Sequence, residues 1–361
     1  MGIKKDDPMR TARAAARWRI GNIVPAPDAF KVNKQLLGNL DESEFVFAFK
    51  ELQKLIVQIY EDVEKSPYEW GFKDENKDVG AASNNRISDF LYAFFANGTL
   101  KDNELTVDTA SFKKAVRKHK NIELIVFGLN KFGMFFDGFS ENAALFIVSY
   151  PDRPQLIEVL YQYTKAQDLE FSPVTAYHYT FPSFSYRWCE EPTEQKYEPI
   201  FHVKMDLSSS AVQEIQHWLH EKADEYGYEI KKSKPFDKGC VFYQKGSKAL
   251  PHVGDRVFDD GNGKSETYTK VIFRNVLQSH PGEISAIAKK VPGVFGKSGF
   301  CSCCNGNKTQ DETCSMRILY SFDGKDYVNC AYGSFYFKNI TLDIFQDIFT
   351  LYLVENKIKI L

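Results

Sequence analysis

Five of the seven cysteines, Cys301, Cys303, Cys304, Cys314 and Cys330, fall within thirty residues of one another. Thiolates at that density either hold a metal or act as nucleophilic and redox groups. A structural zinc needs about four thiolate or imidazole ligands in a tetrahedron. Cys301 and Cys304 have the C-x-x-C spacing that grips one metal from a tight turn, and Asn305-Gly306-Asn307 supplies a permissive backbone behind them. Cys314 and Cys330 are the expected second pair, which leaves Cys303 over. The alternatives are reduced thiols in a surface loop, an iron–sulfur cluster, which also takes four cysteines, and an enzyme working through Cys303 or a neighbouring thiolate. Lys297 and Lys308 would lower a thiol pKa there, although no positioned histidine accompanies them.

The zinc set depends on a hairpin. Arg317–Phe322 and Tyr327–Phe337 flank Asp323-Gly324-Lys325-Asp326, and Asp-Gly favours a two-residue hairpin turn. With that turn Ser321 faces Asp326 and Cys330 faces Arg317, so Cys314 lies three positions further on, roughly 10 Å at about 3.4 Å per residue. A four-residue turn would carry Cys330 away. The run Cys314-x-x-Arg317-x-x-Tyr320 followed by Asp323-Gly324-Lys325-x-Tyr327-x-x-Cys330 resembles the tail of some uncharacterised bacterial proteins. These end in a cysteine knuckle followed by such a hairpin. The resemblance covers residues 300–355; it implies a shared metal site and no known activity.

Further constellations offer other chemistry. In the segment 177–188, Tyr177, Tyr179 and Phe181 share one face of an extended chain, and Phe184, Tyr186 and Trp188 share one after Pro182. Such a ribbon stacks bases or a flat ligand, with Arg187 adding charge, and Tyr177, Tyr179, Tyr186, Arg187 and Trp188 are the candidate ligand-binding residues. The plainer reading is a strand with one packed aromatic face. His217 and His220 sit i, i+3 on a predicted helix beside Glu214 and Glu221, but H-E-x-x-H is absent and half-exposed surface histidines are the default. Gly263-Lys264-Ser265 ends like a phosphate loop, yet Phe258 stands where that motif needs glycine. Asp255, Asp259, Asp260 and Glu266 miss calcium-loop spacing, and there is no dinucleotide fingerprint or nucleophile elbow.

The elements that must position these residues read as follows. Residues 1–27 form a basic N-terminal arm, where Lys4, Lys5, Arg10, Arg13, Arg17 and Arg19 oppose only Asp6 and Asp7. Such an arm docks on phosphate, or is a frayed and solvated tail. Phe45, Phe49, Leu52, Ile56, Ile59 and Val63 recur at helical steps and predict a helix over 41–64. Helices are also expected over 84–95 and 111–129, the latter with a basic start at Lys113, Lys114, Arg117, Lys118 and Lys120. A strand at 134–136, a turn at Asp137-Gly138 and a strand over 145–150 follow. Helices and then a hairpin give the N-terminal domain, 28–168, a winged-helix-like outline, and the basic helix would meet DNA if it is more than a solvated face. Strand–break–helix recurrences at 201–226, 269–291 and 334–354 give 169–361 an α+β domain, a mixed or antiparallel sheet with helices on one face.

Composition bounds the rest. At 361 residues two domains are expected, and a net charge of −2 leaves nucleic-acid or membrane attraction to local patches. The longest apolar runs are too short to span a membrane, and no apolar leader opens the chain, so a cytoplasmic protein with reduced thiols is expected. The function expected is ligand binding or regulation with a Cys-ligated structural zinc. The alternatives are an enzyme using a cluster thiolate or an open metal site, and nucleic-acid binding through local basic faces.

Overall fold

The computed structural model describes residues 8–72, 86–140, 143–170, 181–191, 199–231, 240–257, 265–271, 317–322, 325–330 and 335–358, with isolated positions between 273 and 286. Cys301, Cys303, Cys304, Cys314, Tyr177 and Tyr179 lie outside the described residues, as do the Gly263-Lys264 turn and all but one residue of the expected helix over 284–291. The chain is a mixture of helices and antiparallel sheets, and it divides into two compact units, 1–199 and 200–361.

The first unit is built on α2 (Glu42–Lys65). Its start is fixed by reciprocal bonds: Asp41 Oδ1 accepts from the Glu44 amide at 2.8 Å, and Glu44 Oε2 accepts from the Asp41 amide at 3.0 Å. This capping box satisfies two amides that the helix itself cannot. The predicted apolar face is buried along its whole length, from Phe45 to Val63. Part of the basic arm is an ordered, packed helix. Residues 10–20 form α1 (Arg10–Ile20), which buries Ala12 and Ala16 and lies against α2. Arg13 donates to the Glu64 carbonyl, and Arg17 Nε pairs with Glu64 Oε1 at 2.6 Å. The Arg13 guanidinium thus caps the C-terminal end of α2, where carbonyls lack helical partners.

Next come α3 (Arg86–Ala96), β1 (Gly98–Lys101), β2 (Glu104–Asp108), α4 (Thr109–Ala115), α5 (Ile122–Lys131), β3 (Phe135–Asp137), β4 (Leu145–Ser149) and α6 (Gln155–Glu170). The four strands form one antiparallel sheet in the order β1-β2-β4-β3. Phe90 and Phe94 of α3 and Phe112 of α4 pack with Phe136 and Phe146 of the sheet, ring centroids 5.1 to 6.2 Å apart and mostly edge to face. The hairpin of β1 and β2 was missed by the sequence reading; its signal was Thr-Leu-Lys before Asp102-Asn103, which take φ of 50° and 63° as a two-residue hairpin turn demands.

At the start of the second unit, residues 201–205, expected to form a strand, lie in the helix α7 (Pro199–Asp206). Five apolar-alternating residues are too few to tell strand from helix, and Pro199 occupies the first helical position, where its missing amide costs nothing. The helix α8 (Ser210–Glu225) starts on Ser209, whose side chain accepts from Val212. Strands β5 (Glu229–Ile230), β6 (Tyr243–Lys245) and β7 (Lys248–Ala249) form one small sheet. A second contains β8 (His252–Val257), β9 (Ser265–Val271) and β12 (Phe335–Lys338), in the order β12-β9-β8. Between β9 and β12 in sequence, β10 (Arg317–Phe322) and β11 (Lys325–Cys330) pair as a hairpin, and α9 (Leu342–Glu355) ends the described fold. Trp218 of α8 meets Phe345 and Phe349 of α9 at 6.0 and 5.2 Å. No helix among the described residues is long and apolar enough to cross a membrane.

Candidate nucleic-acid interface

The helix expected over 111–129 is two helices, α4 and α5, with a turn at 116–121. Long-range partners break it. Asn121 stands in the left-handed region with φ of 54°, a conformation asparagine tolerates better than most residues. The carbonyls of Lys120 and Asn121 accept from the Arg86 guanidinium, the latter at 2.8 Å, while Arg86 Nε donates to the Trp70 carbonyl at 2.9 Å. Three residues further along α3, Asp89 is fully buried. Its Oδ2 lies 2.8 Å from His119 Nε2 and 2.7 Å from Lys118 Nζ. One turn of α3 therefore holds the whole connection: an arginine for its carbonyls and a carboxylate for its lysine and histidine side chains.

Two glycines let these parts come close. Gly71 has φ of 76°, and a Cβ there would sit 2.5 Å from Arg86 Nη2. Gly128 on α5 lies under the Trp70 indole, whose ring atoms would be 2.7 Å from a Cβ at that position. Trp70 is itself held by its Nε1, which donates to Asp62 Oδ2 on α2 at 2.9 Å. Burial draws the Arg19 pKa down, against the charges of Tyr60 and Asp89, so α1 also feels the buried carboxylate.

Thr109, Phe112, Val116 and His119 are buried, whereas Lys113, Lys114, Arg117 and Lys120 are all exposed. The result is five cations on the eight consecutive residues 113–120, of which Lys118 is held by Asp89. Such a surface is suited to phosphate, a role that needs the local patch the neutral whole molecule lacks. Comparison with known protein families finds no match. Comparisons with curated proteins and with solved structures find none either. The sequence reading found these lysines and the arginine; it missed Arg86, Asp89, Trp70 and Gly128, whose roles appear only once residues from different elements are brought together.

The other expected sites are placed differently. Residues 181–188 are not extended: 181–183 and 186–188 form two 3-10 turns around Phe184, whose φ is 43°. Gln53 of α2 imposes this, its Nε2 donating to the Phe184 carbonyl at 2.8 Å from 131 positions away. Tyr186 and Trp188 are buried, and Trp188 Nε1 donates to Ser183 Oγ at 3.3 Å, so these two rings build core. Arg187 covers the Tyr186 ring at 4.8 Å and pairs with Glu190 at 3.0 Å. His217 and His220 flank the Phe201 ring, and His220 Nδ1 lies 2.9 Å from the Tyr243 hydroxyl. A groove of about 330 Å³ along α2 is lined by Phe30, Phe47, Lys50 and Lys54, but Lys50 pairs with Asp28 and Lys54 with Glu51, so nothing in it singles out a ligand.

Of the cysteines, Cys189 and Cys240 are buried thiols, and burial pushes the Cys189 pKa up, away from nucleophilic chemistry. Among the described residues no group of three histidines, cysteines or acids is placed to hold a metal. Cys330 ends β11 opposite Arg317, with Ser321 opposite Asp326 and Phe322 opposite Lys325, the pairing that a two-residue Asp323-Gly324 link requires.

Proposed function

We propose that residues 86–149 are a winged-helix-like module that binds nucleic acid through α4 and the turn into α5. The observation that carries this reading is the order of the elements. Helix α3, strand β2, helices α4 and α5, then the hairpin β3–β4 pair as β2-β4-β3. In a winged helix, likewise, two of three helices form a helix-turn-helix and the sheet ends in a hairpin wing; β1 adds a strand at the outer edge. The likeness is one of fold, so the function rests on the site. Lys113, Lys114, Arg117 and Lys120 lie on the part of a helix-turn-helix that crosses the sugar–phosphate backbone. The triple variant Lys114→Glu/Arg117→Glu/Lys120→Glu changes exposed side chains and should fold as the parent does. Its affinity for a nucleic-acid duplex should fall by a factor on the order of 30 or more at low salt. Fluorescence anisotropy with circular dichroism as control measures both. Parent protein that binds no nucleic acid at low salt, or a triple variant that binds like the parent, refutes the module's role.

For residues 301–330 we propose a structural zinc on Cys301, Cys304, Cys314 and Cys330, in a protein of the reducing cytoplasm. The register of β10 and β11 supports it, because the backbone of Cys330 is brought to the end of the hairpin nearest Cys314 in sequence. Four thiolates suit tetrahedral zinc and would tie this hairpin to the knuckle. Elemental analysis of purified protein should find one zinc per chain. Cys330→Ser should lose the metal and lower the melting temperature; a folded chain without metal, with the clustered thiols open to alkylation, would remove the site.

A further inference from the structure

The helices on either side of the turn are chemically unlike. The cations lie on α4 and the turn, whereas α5 exposes Glu123, Phe127 and Asn130 at i, i+4 and i+7, one continuous face. A helix that reads bases in the major groove does so with arginine or lysine on guanine, or asparagine or glutamine on adenine. On α5 the ammonium of Lys131 is taken by Glu69 and lies 5.3 Å from the Phe127 ring centre. Asn130 remains, at the C-terminal end, and the carboxylate of Glu123 in the first turn opposes entry into a groove lined by phosphates. The link between β3 and β4 is Gly-Phe-Ser-Glu-Asn-Ala-Ala, without a cation to grip a neighbouring backbone.

We infer that this module, on the nucleic-acid reading above, engages duplex DNA through its phosphates and does not read base sequence. Lys113, Lys114, Arg117 and Lys120 supply the contacts, and α5 faces the duplex without specifying it. About four phosphate contacts give a slope of log K against log salt near −3.6, and a dissociation constant on the order of 10⁻⁴ to 10⁻⁶ M at physiological salt.

The experiment is anisotropy titration of the full chain with two 20-base-pair DNA duplexes of unrelated sequence and with one of their single strands, from about 50 to 200 mM salt. The expected result is equal affinity for the two duplexes within about threefold, weaker binding of the single strand, and a slope between about −3 and −4. Lys120→Gln should reduce the slope by about 1, and Asn130→Ala should change neither duplex. A preference above about tenfold for one duplex, or an Asn130→Ala loss confined to one, assigns base reading to α5 and overturns the inference while leaving the module a nucleic-acid binder. Tighter binding of the single strand overturns it too. Absence of all binding at the lowest salt removes the function proposed above along with this one.

Discussion

Asp89→Ala should destabilise the first unit by about 3 to 5 kcal/mol, because it strips a buried ionic cluster of its one carboxylate. Asp89 is fully buried, and Lys118 and His119 share its Oδ2 at 2.7 and 2.8 Å. The Lys118 side chain is 32% exposed and can swing into water. His119 cannot: its side chain is 2% exposed and would be left in the core with its ring nitrogen desolvated. The lower half of the range is therefore expected. Urea denaturation followed by two probes measures it, with an unchanged slope required for the comparison. The double variant Asp89→Ala/His119→Ala should recover part of the loss, a coupling of about 1 kcal/mol or more. A loss below about 1 kcal/mol in the single variant would mean that the carboxylate does not hold the turn.

Trp70→Ala is expected to cost a similar amount, about 3 to 5 kcal/mol, through a different mechanism. The indole is fully buried between α2 and α5, rests on Gly128, and lies 6.2 Å from the Phe132 ring. Its removal leaves a cavity and orphans the Asp62 carboxylate that accepted from it at 2.9 Å. The contact with Gly128 supplies a sharper test. In the parent, Gly128→Ala drives a methyl to 2.7 Å from the ring and should cost about 1 to 3 kcal/mol. In the Trp70→Ala background the same methyl enters the cavity, and the penalty should vanish or reverse. Equal penalties in the two backgrounds would show that the indole does not lie over Gly128.

Much of the local architecture is legible in the sequence where a few neighbouring residues decide it. The apolar steps of α2 and the pair Asp41 and Glu44 define that helix and its first residue. The Asp-Gly dipeptide sets the register of β10 and β11 as far as the pairing of Arg317 with Cys330. What escaped the sequence depends on distant partners. The break between α4 and α5 needs Arg86 and Asp89, and the turns around Phe184 need Gln53. Helix α1 looks like a solvated arm because its charges dominate its composition, yet Ala12 and Ala16 leave a flat strip that α2 covers. The cations at 113–120 were visible from the start; that they stand on a turn clamped from beneath was not.

The pairing of β2 with β4 has a dynamic consequence. Leu105 is opposite Val148 and Val107 opposite Phe146, so the ladder ties together the two ends of a segment containing α4, α5 and β3. A helix at a chain terminus frays from its free end, but this segment has none. Its amides can exchange with solvent either by brief local excursions or by an opening that parts the central ladder and releases the Phe112 and Phe146 rings together. Larger openings of α4 and α5 are therefore expected to require the β2–β4 ladder to part. On the nucleic-acid reading, a surface at 113–120 carried on such a closed loop would meet a duplex already shaped and lose little conformational entropy on contact.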